Sequence, residues 1–312
     1  MSTRPILELR AAIRSRVRGL FDGRGFVEVD TPVLSAEVLP EAHIDPLAVA
    51  VDGDGRPPHY LQASPEALMK RLLAAGSGPI YQFARSFRAG ERGERHDVEF
   101  VLLEWYAPRT TLEDAAVLLE ELCRIALGTQ GIERVTCREA FARHAGVDPS
   151  TASIDQWRAA GARAGLALPE HHADSANDWF ELLLAEAVAP QLGRGRPTML
   201  EAWPVSQAAF ARVTDDERVA HRFELFVEGV ELANGWEEET CREILLERIA
   251  AANRTRVANG RGPLPVPQKL VDAHGAAMPE GIGAALGFDR LVMLAAGAAS
   301  IDAVRCFTSR NA

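Results

Sequence analysis

The sequence predicts an α+β fold, a mostly antiparallel sheet flanked by helices. Three observations carry that reading. Residues 80–106, IYQFARSFRAGERGERHDVEFVLLEWY, read as two strands joined by a charged loop. HRFELFVEGVELANGWEEE, from His221, reads as a second hairpin that turns at Glu228-Gly229. Helical spacing occupies 6–21, 112–127, much of 137–195, and 240–259. Hairpins pair their strands antiparallel, and helices kept apart from such a sheet give an α+β chain.

Whole-chain numbers set the outer limits. At 312 residues, with 47% apolar and 25% charged, there is ample length for a core, read as one domain over 1–312. No apolar run is long enough to span a membrane. The N-terminal segment lacks the apolar stretch and small-residue cleavage site of a secretory signal, so it reads as a helix leading into the fold. Cys123, Cys137, Cys241 and Cys306 are scattered without a CxxC pair, which fits a reducing cytoplasm and gives no support to zinc or disulfides. A net charge of −10 and no Lys/Arg tract argue against a broad nucleic-acid footprint.

In order, Ile6, Leu9, Ile13, Val17, Leu20 and Phe21 form an apolar stripe, with arginines expected on the far side. FVEVD at 26–30 alternates like a strand and ends at Thr31-Pro32. Residues 35–58 read as loop, and Tyr60 to Gln62 as a short strand. In SPEALMKRLLAAGSG, Ser64 is placed as the N-cap and Pro65 at the first helical position, with Gly76 closing the helix. Glu66 then lies in the first turn, serving either the helix dipole or a pocket beside the preceding strand.

The strand 80–88 alternates large residues with Gln82, Ala84 and Ser86, which puts Arg88 on the smaller face, the one with room for a ligand. Its partner places Phe100, Leu102, Glu104 and Tyr106 together. The nine-residue loop between them holds Glu91, Arg92, Glu94, Arg95 and His96. An aromatic, arginines, a histidine and a carboxylate at strand ends suit a nucleotide; the alternative is a solvated hairpin tip.

The region 137–195 is helical with breaks at Gly146, Pro149, Gly165, Pro169 and Pro190, and Trp157, Trp179 and Phe180 are assigned to the core. In the second hairpin Phe226 faces Glu231 and Glu224 faces Ala233, so Glu224 and Glu231 are diagonal neighbours about 7–8 Å apart at the backbone. Mg²⁺ between phosphate oxygens and these carboxylates is one occupant; two exposed glutamates on a sheet face is the other reading. A bulge is expected at Gly235. After the helix 240–259, RGPLPVPQKL at 261–270 reads as a loop. GIGAALGFDRLVML reads as a glycine-rich strand and a helix, with Asp289 as its cap. Arg290, a cation at a helix N-terminus, is unfavourable there and so implies another task.

Taken together, these pieces resemble the three motifs of class II aminoacyl-tRNA synthetases: FVEVDTPVL motif 1, ARSFRAGERGERHDVEF motif 2 and GAALGFDRLVML motif 3. SPEALMKRLL, LEWY and ELANGWEE resemble the lysyl branch. The resemblance covers essentially the whole chain and implies a class II catalytic core, with 137–198 a helical insertion between motifs 2 and 3. Motif 1 begins within the first 30 residues, which leaves no room for the OB-fold anticodon domain of a lysyl-tRNA synthetase and implies no anticodon binding. The sequence is most similar to the elongation factor P lysine ligases, truncated paralogues that activate (R)-β-lysine with ATP and pass it to a lysine ε-amine of elongation factor P. A class II-type adenylating enzyme with another acceptor, and a non-catalytic synthetase-like protein, are the competing readings.

Residue by residue, the resemblance implies that Arg88 holds the α-phosphate and that Phe100 and Arg290 sandwich adenine, making Arg88 and Arg290 the catalytic pair. His96 reaches the distal phosphates, and Glu91, Asp97, Glu231, Leu232 and Gly287 complete the ATP site. Glu224 and Glu231 bind Mg²⁺. Ser64, Glu66, Glu104, Tyr106, Asn234, Glu238 and Ala285 form the amino-acid pocket, whose glutamates suit the two ammonium groups of lysine or (R)-β-lysine. Ala285 stands where lysyl-tRNA synthetases carry glycine, and the extra methyl favours the β-amino isomer. Motif 1 implies a homodimer. Two departures stand out: the motif 2 acid is shifted to Glu91 by Ala89-Gly90, and the usual His-Asn-Pro-Glu-Phe is His96-Asp97-Val98-Glu99-Phe100. Trp236 replaces a phenylalanine.

Overall fold

A computed structural model describes residues 3–51, 58–214 and 218–312. In chain order its elements are α1 Arg4–Gly23, β1 Val27–Glu28, β2 Leu34–Ser35, β3 Leu47–Val49, β4 His59–Leu61, α2 Glu66–Ala74, β5 Ile80–Phe87, β6 Glu99–Pro108 and α3 Leu112–Leu127. Next come β7 Glu133–Thr136, α4 Cys137–His144, α5 Ile154–Arg163, α6 Ala176–Leu183, β8 Thr198–Pro204, β9 Val219–Val227 and β10 Val230–Glu237. The last are α7 Arg242–Ala258, α8 Gln268–Ala273, β11 Gly281–Gly287 and α9 Phe288–Ala295. Two compact units emerge: Met1–Thr110 with Ile125–Leu127 and Glu238–Ala312, and Thr111–Arg124 with Gly128–Glu237.

In the first unit the strands run in the order β1-β5-β6-β11. β1 is parallel to β5, and the other neighbours are antiparallel. The register pairs Ser86 with Phe100, Gln82 with Glu104 and Ile80 with Tyr106. On the other side of β6, Gly283 pairs with Tyr106, Ala285 with Glu104 and Gly287 with Leu102. Directly paired residues share a face, so one surface carries Phe100, Glu104, Tyr106, Gly283, Ala285 and Gly287. Met69, Leu73, Ile80, Tyr106 and Met278 form one buried apolar cluster at the Tyr106 end of this face.

Against the opposite face rests α1, through buried Ile13, Val17 and Phe21. Its arginines correct the sequence reading, because they do not all sit on the far side. Arg14 lies 4.5 Å over the Phe83 ring, Arg10 lies 4.8 Å over Phe288, and Arg18 lies 5.5 Å over Phe83. Arg10 pairs with Asp289 at 2.7 Å and Arg18 with Glu28 at 2.8 Å. Arginine stems cover apolar surface while the guanidinium faces stack on rings, so these charges extend the stripe.

The second unit orders its strands β10-β9-β8-β7. β7, which the sequence reading missed, is parallel to β8. Phe141, Trp157, Trp179, Phe180, Leu200, Trp203 and Phe226 form its core, as the aromatic content led one to expect. α4 and α5 open with reciprocal caps at Thr136–Glu139 and Ser153–Gln156. The break expected at Pro190 is absent. The chain passes from α6 through a π turn at Leu184–Val188 into a 3₁₀ turn at Ala189–Gln191.

Smaller corrections follow local pairing. The 26–30 strand shrinks to β1, and β3 forms within the expected loop 35–58, of which 52–57 lie outside the described residues. The Pro-rich stretch already turns helical at Gln268. The helix predicted from 240 begins at Arg242.

Candidate active site

Ser64 is not the N-cap by geometry, since the helix begins at Glu66 after Pro65. Its hydroxyl nevertheless accepts the Glu66 backbone N–H at 3.0 Å and donates to Glu104 Oε2 at 2.7 Å. The Tyr106 hydroxyl donates to Glu104 Oε1 at 2.7 Å. Glu104 is thus held at both oxygens and is 2% exposed. Burial, followed by the nearby Glu66 charge, pushes its carboxyl up to about 8 against the hydroxyl bonds and Lys70. Burial and Glu104 push the Tyr106 phenol upward as well.

Lys70, absent from the sequence inventory, sits between two of the expected pocket acids. Its Nζ lies 2.6 Å from Glu66 Oε1 and 2.6 Å from Glu238 Oε2. Lys70, Glu66 and Glu238 are all buried. Burial pulls the ammonium down, but Glu238 and Glu66 together outweigh it and hold Lys70 above the ordinary lysine range. Burial and the Lys70 charge lower His274 to about 4, while its Nε2–H donates to the Glu239 carbonyl at 3.2 Å. A trace of this arrangement was in the sequence: Glu66, Met69, Lys70 and Leu73 occupy one helical stripe, and all four are buried.

Gly283 makes the cluster possible. A Cβ there would stand 2.0 Å from Glu238 Oε1 and 2.5 Å from Tyr106 Cε1. The close approach that its glycine allows is therefore to protein side chains. At Gly281 the crowding is by main chain, where a Cβ would meet the Ala107 backbone carbonyl at 2.3 Å.

Toward the other end of this face, Arg88 lies 5.1 Å over the Phe100 ring and 3.8 Å from Glu91. Arg290 Nη2 donates to His96 Nε2 at 2.6 Å and its Nε to the Arg95 carbonyl at 3.3 Å. Asp289 is not the cap of α9, whose N-cap is Gly287. Its buried carboxylate instead accepts the Val101 N–H at 3.0 Å, tying α9 to β6. Asp97 is buried, and its carboxylate binds Val98, Arg305 and Ser309. Arg88, Glu91, His96, Asp97, Phe100, Gly287 and Arg290 thus share the first unit with Ser64, Glu66, Glu104, Tyr106, Glu238 and Ala285.

Glu224, Glu231, Leu232 and Asn234 belong to the second unit. The hairpin turns at Glu228-Gly229 as read, both with positive φ (51° and 71°). Glu231 pairs with Phe226 as expected, but Asn234, not Ala233, pairs with Glu224. The register slips between Glu231 and Ala233, which leaves Leu232 as the bulged residue where Gly235 had been expected to carry the bulge. Glu224, Glu231 and Asn234 consequently share one face. Arg222, another residue missed from sequence, joins them: Nη2 is 2.6 Å from Glu224, Nε is 3.3 Å from Asn234 Oδ1, and its guanidinium lies 4.0 Å over Trp203. Among the described residues no group of three or more His, Cys, Asp or Glu is placed to hold a metal.

The family of tRNA synthetases class II (D, K and N) matches residues 1–311. Proteins from Salmonella dublin, Salmonella schwarzengrund and Salmonella enteritidis, each named elongation factor P--(R)-beta-lysine ligase, are 40% identical over 308 residues. The alignments cover 97% of this chain and 95% of each relative. With motif strands, charged loop and glycine-rich strand in one sheet, and with matches of this extent, the chain belongs to the class II tRNA synthetases and, among them, to the elongation factor P--(R)-beta-lysine ligases.

Proposed function

We propose that the chain adenylates (R)-β-lysine, or lysine, with ATP and transfers it to a lysine ε-amine of elongation factor P. The observation that carries this reading is the buried acidic cluster of Glu66, Glu104 and Glu238, only partly neutralised by Lys70. Buried carboxylates favour cations beside them, and a lysine-like substrate brings two ammonium groups. Ala285, paired with Glu104, narrows the space beside that carboxylate and favours the β-amino isomer.

In the first step the substrate carboxylate attacks the α-phosphorus in line. A new P–O bond forms, the bond to the bridging oxygen breaks, and pyrophosphate leaves. Arg88 steadies charge at the phosphorus oxygens, Phe100 and Arg290 hold adenine, and His96 meets the distal phosphates; Glu91, Leu232 and Gly287 are assigned to ATP binding as well. Positioning and fixed charge supply most of such catalysis. In the second step the acceptor amine attacks the acyl carbon, AMP departs with the bonding pair, and the amine gives up a proton to solvent.

Glu224 and Glu231 suit Mg²⁺, since they are hard oxygen donors on one sheet face and this ion takes only one or two carboxylates beside phosphate and water. Bound there, it would neutralise phosphate charge. Asn234 would serve the amino-acid side. We further infer a homodimer from the motif 1 resemblance of residues 26–34. A cytoplasmic location fits the four free cysteines, and no helix among the described residues is long and apolar enough to cross a membrane.

The test is intact-mass analysis of elongation factor P after incubation with the protein, ATP, Mg²⁺ and either lysine isomer. A lysyl-sized gain that needs ATP and is greatest with (R)-β-lysine is expected. Pyrophosphate exchange without any gain would overturn the acceptor, and the absence of both would overturn the activity.

A further inference from the structure

Asp97 closes the 89–97 loop two residues before β6 and is 4% exposed. Its carboxylate takes four donors. Oδ1 accepts the Val98 N–H at 2.9 Å and the Ser309 hydroxyl. Oδ2 accepts the Ser309 N–H at 2.9 Å and Arg305 Nη1 at 2.6 Å. That fills the acceptor capacity of a carboxylate and leaves none for a nucleotide. The Val98 donor matters, because a proline at 98 would have no N–H to give. The same tail grips the loop a second time, where the Ile301 N–H donates to the Glu94 carbonyl at 2.9 Å. α9 grips it a third time through Arg290, at Arg95 and His96. Burial alone would raise the Asp97 carboxyl, yet the Ser309, Val98 and Arg305 contacts hold it below the usual range, so the group stays anionic and bonded.

We propose that Asp97, together with Arg305 and Ser309, is a positioning lock: the segment 301–309 is fastened beneath the 89–97 loop, and that fastening holds Glu91 and His96 ready for ATP. The sequence separation of 208 residues between Asp97 and Arg305 means that the chain's last segment sets the conformation of its nucleotide loop. The inference rests on the ATP reading above for its consequence, though not for the lock itself.

Two readouts separate the parts. Amide hydrogen exchange over 89–97 reports the lock without any substrate, and ATP–pyrophosphate exchange with each lysine isomer reports its consequence. In Asp97→Asn and Arg305→Ala the loop amides are expected to exchange faster. If the competent fraction of the loop falls to about one tenth, KM for ATP rises about tenfold, while kcat and KM for the amino acid stay within about twofold. The double variant is expected to be no worse than the worse single one, since both break the same lock. Arg305→Lys should recover part of the loss. Ser309→Ala keeps the ion pair and the backbone donor, so it gives a milder change in the same direction and serves if Arg305→Ala does not fold. Unchanged loop exchange in Asp97→Asn and Ser309→Ala would overturn the lock. Faster loop exchange with an unchanged KM for ATP, or with both KM values rising together, would overturn its role in positioning. Wild-type protein without pyrophosphate exchange would overturn the ATP reading, and the amide exchange would still decide the lock.

Discussion

Replacing Lys70 with methionine keeps most of the side-chain volume and removes the ammonium. Glu66 and Glu238, each 2.6 Å from Nζ in the native protein, are then left as buried acids without that cation. Removing one partner of a buried ion pair costs about 3–5 kcal/mol. At roughly 2–4 °C per kcal/mol for a chain of this size class, the melting temperature at pH 8 should fall on the order of 10 °C. The deficit should depend on pH, and its sign is fixed. Without Lys70 the pair gains by taking up a proton, so a folded-state carboxyl lies above its unfolded value. The folded state then binds more protons, and stability rises as pH falls. In the native protein the Lys70 ammonium, held above its ordinary range, contributes a constant amount over the same interval. Thermal denaturation of both proteins from pH 5 to pH 8 measures this, with Lys70→Met/Glu238→Gln expected to regain part of the loss. A Lys70→Met protein that melts within about 2 °C of wild type at pH 8, or whose deficit widens on acidification, would refute the reasoning.

Three further outcomes are expected. Gly283→Ala drives a methyl into Glu238 and Tyr106, so KM for either lysine isomer should rise at least about tenfold, roughly 1.4 kcal/mol, with KM for ATP unchanged; steady-state pyrophosphate exchange reads both. Glu104, pushed up to about 8, must shed its proton to receive an ammonium, so KM for the amino acid should fall about tenfold per pH unit as pH climbs from 6 toward 8 and then level off. Glu104→Gln should lose that slope, and a slope that persists would assign it to another group. Gly161→Ala sets two effects against each other. Helix propensity favours alanine by about 1 kcal/mol, but the new Cβ would lie 2.2 Å from Trp179 Cζ3, and overpacking of about 1–3 kcal/mol should win; a raised melting temperature would show that it does not.

Where alternation or turn chemistry was local, the sequence was readable. The two hairpins, the Glu228-Gly229 turn, the span of α3 and the aromatic core of the second unit all follow from spacing within a few residues. Ser64, Glu66, Glu104, Tyr106 and Glu238 were nameable because family resemblance marked their segments. Lys70 was not, although its stripe was visible, because a charged residue on a helix reads as solvated until its partners are known. Arg10, Arg14 and Arg18 misled for the same reason, since their ring partners Phe83 and Phe288 come from distant strand and helix. Asp97 looked like an isolated departure because Arg305 and Ser309 lie at the far end of the chain. β7 carries no alternation of its own and exists because β8 offers it an edge.

The bulge at Leu232 has a consequence for how this hairpin tolerates change in length. In an unbroken strand, residues separated by an odd number point to opposite sides, so Glu231 and Asn234 would be divided. One supernumerary residue inverts the parity and reunites them on the face that carries Glu224. Chemical identity at 231 and 234 is therefore insufficient by itself. Drawing Leu232 into a regular ladder would preserve every polar side chain of the hairpin and still turn Asn234 away, whereas deleting Leu232 would leave Asn234 two residues after Glu231 and on its face.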